Sequence, residues 1–100
     1  MKREMGARFD ARKQFYGKAM IVDVEGGIGL ESYGTLVCSI DSEGNFHRHW
    51  DGWSSTTGRH IVEFVKQHMG SGRHGTLGKF GPTCKPEWDV LKAEPAPRVR

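Results

Sequence analysis

The sequence predicts an α+β fold: a three-stranded antiparallel β-meander with one helix packed on one face (βββα) and a flexible C-terminal extension. Three observations carry this expectation. Apolar and polar residues alternate over two stretches before residue 41, the period that gives a strand one core side. The tetrapeptide Asp41-Ser42-Glu43-Gly44 reads as a turn into a third strand. After residue 54 the apolar spacing becomes helical.

The first strand lies within Lys18 to Gly27. Met20, Val22 and Val24 point one way, Asp23 and Glu25 the other, and the stretch ends at the glycine turn Gly26-Gly27-Ile28-Gly29. Leu30 to Ile40 reads as the second and central strand. Leu30, Leu36, Cys38 and Ile40 share one face, and Tyr33, Thr35 and Val37 share the other. The third strand follows the turn, with Phe46, Arg48 and Trp50 on one face and Asn45, His47 and His49 on the other.

Ile61, Phe64, Val65, His68 and Met69 form one helical stripe, while Arg59, Glu63, Lys66 and Gln67 fall outside it. Gly70 supplies a stop. The helix starts within Ser54 to Thr57, whose hydroxyls can accept the free N–H groups of a first turn. Thr56 and Thr57 are the expected caps, with His60 and Trp50 packed on the sheet. The alternative for the same corner is an anion site beside Arg59.

The expected organisation is a basic arm over residues 1–14, a core domain over 15–70, and a glycine-rich linker and tail over 71–100. Lys85 to Glu94 can form a short helix with Pro86 at its start. One helix covers one sheet face. The other must be closed by the N-terminal segment, by the Trp88 tail, or by a second copy of the chain.

A chain of 100 residues supports one modest core. No apolar run is long enough to span a bilayer, and no apolar stretch follows the charged N-terminus as in a signal peptide. A cytoplasmic setting is expected, with Cys38 and Cys84 as reduced thiols. Charge is uneven: six bases face two acids in residues 1–20, three bases face seven acids in 21–69, and six face three in 70–100.

No catalytic residue is expected. Ser54 as a nucleophile has only His60 as a nearby base, nothing marks an acid partner for it or an oxyanion hole, and no phosphate-binding glycine loop is present. His47 and His49 alternate onto one strand face, and His60 or Cys38 could join them in a nuclease-like metal site. The close ligand spacing typical of zinc sites is missing, so neither metal nor other cofactor is expected.

The three tryptophans exceed what so small a core easily holds, so at least one belongs at a contact surface. Trp50 shares strand parity with Phe46 and is assigned to the core. Trp53, at the end of the sheet, and Trp88, beyond the glycine-rich segment, are the candidate partner-binding anchors, with Arg59, Arg73 and Lys79 around them. If the ligand is nucleic acid instead, Arg3, Arg8, Arg12 and Lys13 would meet phosphates and Tyr16 would stack.

Three stretches carry a resemblance: Phe15-Tyr16-Gly17-Lys18-Ala19, Ser32 to Val37 (SYGTLV), and Ser54 to Phe64 with its Thr56-Thr57, Arg59-His60-Ile61 and Glu63-Phe64 steps. Together they resemble a family of small uncharacterised proteins of bacteriophages, plasmids and related mobile elements, over roughly residues 15–69. The resemblance carries no activity and no site residues. It implies an accessory gene product acting in a bacterial host cell. The implied role is a non-enzymatic binding protein whose partner is a host protein or ribonucleoprotein, with inhibitors of CRISPR effectors as a prominent class.

Overall fold

A computed structural model describes residues 2–6, 18–69 and 81–100 of the chain. Apolar residues on both faces form β2 (Ala19–Val24), which the Glu25-Gly26 turn folds back into β3 (Gly27–Ser32). The Tyr33-Gly34 turn leads to β4 (Thr35–Asp41), and the next turn leads to β5 (Phe46–Arg48). β1 (Lys2–Glu4) pairs with the outer edge of β2. Among the described residues the sheet is antiparallel with five strands in chain order, not the expected three.

Two local features make the difference. Leu30 to Ile40 is not one strand, because Tyr33 (φ 51°) and Gly34 (φ 83°) both lie in the left-handed region. Two such residues make a type I′ turn, whose twist suits a two-residue hairpin. Residue parity is then altered again, because Leu30 pairs with Cys38 and Glu31 with Leu36, leaving Val37 as a bulge. The second feature is β1, which occupies part of the expected basic arm. Its three residues are exposed and charged, as suits a protected edge strand, and Lys2 pairs with Glu31 at 2.9 Å.

α1 (Ser55–Met69) lies on the face that carries Ala19, Ile21, Leu30, Cys38 and Ile40. Ser54 is its cap, since its Oγ accepts the Thr57 N–H at 3.0 Å. Thr57 instead turns inward to Ser32, at 2.9 Å between hydroxyl oxygens. Ile61, Phe64, Val65 and Met69 are buried as expected, but His68 is exposed and Glu63 is buried. Gln67, one turn further on, donates to the Glu63 carboxylate at 2.5 Å. Gly58 is required by packing: a Cβ there would stand 2.4 Å from the Trp53 ring.

The short helix expected near Pro86 is α2 (Lys85–Asp89). It drives Trp88 into the core, 0% exposed, against Phe46 and Trp53 with ring centroids 6.1 and 6.0 Å away. The indole Nε1–H donates to the Gly52 carbonyl at 2.8 Å. Trp88 is therefore a core residue rather than a free anchor. Trp50, expected inside, is half-buried at the margin of this cluster.

Beyond α2 the chain bridges β5 at Ala93 and then β2 at Val99. Glu25 N–H donates to the Arg98 carbonyl at 2.9 Å and Arg100 N–H to the Asp23 carbonyl at 2.8 Å. Residues 92–100 thus cross from one side of the sheet to the other over the face opposite α1. Against the expected flexible extension, Gly81, Pro82 and Trp88 are buried and the backbone from Ala93 to Arg100 bonds to the sheet. The glycine-rich segment before Gly81 lies outside the described residues.

Trp88→Ala is expected to lower unfolding free energy by about 3–5 kcal/mol, a large share for so small a domain. Val90→Ala, at a residue 77% exposed, should leave the urea midpoint nearly unchanged. Equal effects would contradict this packing.

Candidate functional site

Two places gather chemistry among the described residues. The first is a cleft of about 210 Å³ between the sheet and the crossing C-terminal segment. Strand pairing builds its floor. Ser39 faces His47 across β4 and β5, and Asp41, two residues on from Ser39, shares their side. Glu94, Pro95 and Pro97 form the roof.

His47 stands between two carboxylates. Its Nε2 is 2.8 Å from Asp41 Oδ2, and its Nδ1 is 3.1 Å from Glu94 Oε2. The hydrogen bond to Asp41 is the strongest influence on this imidazole and raises its pKa; partial burial opposes the rise and Glu94 adds to it. For Asp41, partial burial is the largest single influence and acts upward. The hydrogen bonds from His47 and from the N–H groups of Asn45 and Glu43 together outweigh it and bring the carboxyl down to about 2. His49 stacks beside His47 at 6.4 Å and lies 2.7 Å from the Ser39 hydroxyl through Nε2. Its Nδ1–H donates to the Glu94 carbonyl at 3.1 Å.

The cleft's polar groups thus satisfy one another and tie the C-terminal segment to the sheet. Among the described residues, no group of three or more His, Cys, Asp or Glu side chains is arranged to hold a metal ion. His60 is remote from this cleft, bonded instead to Ser32 at 2.8 Å under the Tyr33-Gly34 turn. Cys38 and Cys84 are both free, and burial pushes the Cys38 thiol well above its ordinary pKa. No described helix is long and apolar enough to cross a membrane.

The second place is the tip of the β3–β4 hairpin. Tyr33 is 57% exposed, stacked on buried His60 with centroids 5.8 Å apart and planes at 25°. The Lys18 ammonium stands 6.0 Å from the Tyr33 ring centroid. The Tyr33 N–H donates to the Lys18 carbonyl at 2.9 Å, so the tip is fixed to the start of β2.

Few of the residues expected from the sequence meet at either place. Trp53 is half-buried over Gly58 and beside Trp88, so both expected anchors belong to one internal cluster. Arg59 is half-buried on α1 next to His60, and Arg3 is exposed on β1. Arg8, Arg12, Lys13, Tyr16, Arg73 and Lys79 lie outside the described residues. Tyr33 and Lys18 were not expected as site residues. The available signal was the Tyr33-Gly34 pair itself, a two-residue loop with glycine second inside an otherwise strand-like run.

The Asp41–His47 pair sets a pH window. Asp41 falls from an ordinary 3.8 to about 2 in the fold, so its stabilisation is present above 3.8 and fades as pH drops toward 2. His47 is raised from 6.5, so its stabilisation is complete below 6.5 and is lost as pH climbs through the raised value. Asp41→Asn keeps a turn acceptor but removes the charge. The difference in melting temperature between wild type and this variant should be largest between about pH 4 and 6.5, shrinking on both sides. A pH-independent difference would contradict the pairing.

Comparison with curated proteins and with solved structures finds no match to the chain. A family does match, over residues 3–80, which takes in β2 to β5, all of β1 but Lys2, α1 and the hairpin tip, and stops short of α2 and the crossing segment. The chain belongs to DUF8033, a family of unknown function.

Proposed function

We propose that the chain is a non-enzymatic binding protein that presents the β3–β4 hairpin tip to its partner. Tyr33 carries this reading: a large ring, 57% exposed, on a turn pinned by the Lys18 carbonyl and stacked on a buried histidine. An aromatic side chain already held in place loses little entropy on docking and supplies a large contact area. Lys18 provides a charged rim beside it. The engagement of His47, His49 and His60 in internal hydrogen bonds further supports binding over catalysis.

The resemblance to small mobile-element proteins supports a bacterial host protein complex as the partner, with a CRISPR-type defence effector as the leading class. A specific observation favours nucleic acid as the second reading. An exposed aromatic ring with a cation beside it suits base stacking, and Lys18 continues from the basic first 20 residues.

Tyr33→Asn separates binding from folding. Asparagine accepts positive φ better than tyrosine, so thermal stability should hold or rise. Capture of the partner from a bacterial lysate should weaken by about 2 kcal/mol, the range for a central aromatic contact. Nuclease treatment should leave a protein partner bound, whereas loss on nuclease treatment together with a steep salt dependence would favour nucleic acid. Undiminished capture by Tyr33→Asn would contradict the hairpin-tip surface.

A further inference from the structure

We propose that residues 92–100 form a proton-controlled strap, closed across the sheet while His47 carries a proton between Asp41 and Glu94 and released when that proton leaves. The geometry of the imidazole carries the inference. Its two nitrogens each meet a carboxylate, Asp41 on β4 and Glu94 on the strap. A neutral ring has only one N–H. Deprotonated His47 can therefore donate to one carboxylate, and its other nitrogen lone pair then faces the second.

The surroundings give that change a mechanical effect. The titratable side chains lining the cleft besides His47 are Glu25, Asp41, His49 and Glu94. Without the proton on His47, Asp41 and Glu94 repel each other with no cation between them. His49 keeps its bonds in either protonation state, since the Ser39 hydroxyl can donate or accept and the Glu94 carbonyl accepts. At the far end the strap is held by backbone hydrogen bonds of Arg98 and Arg100, so the pH dependence enters at the Glu94 end.

The strap's residues are mostly exposed. Its backbone is fastened to Arg48 through the Glu94 N–H at 2.7 Å and to the β2 edge through the Glu25 and Arg100 N–H groups. Pro95 and Pro97 between these points have no N–H to offer and keep the segment extended. Loosening at Glu94 is thereby transmitted along a stiff piece of chain. Release opens the cleft and frees the backbone groups of Asp23 and Glu25.

Amide hydrogen exchange on the full chain tests this, using protection factors corrected for the intrinsic pH dependence of exchange. Between about pH 5.5 and about pH 8.5, either side of the ordinary histidine range, protection of the Glu94 and Glu25 amides should fall several-fold. The core amides of Leu30 and Ile61 should hold. In Glu94→Gln the strap amides should be weakly protected at every pH, and His47→Gln serves the same purpose if Glu94→Gln fails to fold. Flat wild-type strap protection over this range, or a variant that folds and keeps the wild-type profile, overturns the proposal.

Discussion

The C-terminal part of the structure depends on one buried cation. Arg48 is 7% exposed, and removing a guanidinium from water costs several kcal/mol unless fixed dipoles replace the solvent. The fold supplies them. Nε donates to the Trp50 carbonyl at 2.8 Å, and Nη1 donates to the Trp88 and Leu91 carbonyls at 3.0 and 2.9 Å. The guanidinium also stands 4.8 Å from the centroid of the Trp88 ring. Two of the three carbonyls lie at the end of α2, where the helix dipole favours a positive charge.

The two sheet faces are consequently covered in different ways. On the α1 side, Phe46 and Arg48 lie in register with Ile40 and Cys38, so the floor laid by the core strands extends under Trp88. Trp53 and Trp88 then fill the space beside the helix start, and Gly58 lets the Trp53 ring approach the helix backbone. On the opposite side, the same chain continues past the β5 edge and crosses to β2. The family match ends at residue 80, yet the ring that completes the core is at residue 88. Trp88 therefore lies outside the matched region.

Much of the framework was legible in the residues. The Asp41–Gly44 turn and the Ile61–Phe64–Val65–Met69 stripe stand where expected, whereas the first strand, expected to turn Met20, Val22 and Val24 to the core, is buried on both faces and gives Ala19 and Ile21 to the helix side. Strand parity placed Phe46 and Arg48 on one face. What escaped has physical causes. β1 is a three-residue charged edge strand, so no alternation marks it. The Tyr33-Gly34 turn hides inside β-prone residues, and tyrosine is an unusual occupant of positive φ. Glu63 is buried because Gln67 and the fold around it satisfy the carboxylate, an arrangement no single position announces. Trp88 meets partners 36 and 40 residues away, Gly52 and Arg48, so its burial is a tertiary fact. The His47 contact to Glu94 likewise spans 47 residues.

Arg48 and Trp88 act as one unit in this fold, and a double-mutant cycle with Arg48→Gln and Trp88→Leu, followed by urea denaturation, measures their coupling directly. Either single change removes the contact between guanidinium and indole ring, so the second change cannot remove it again. The two single losses should therefore sum to at least about 1 kcal/mol more than the loss in the double variant. Additivity within about 0.3–0.5 kcal/mol, the behaviour of independent sites, would contradict the role assigned to the buried guanidinium.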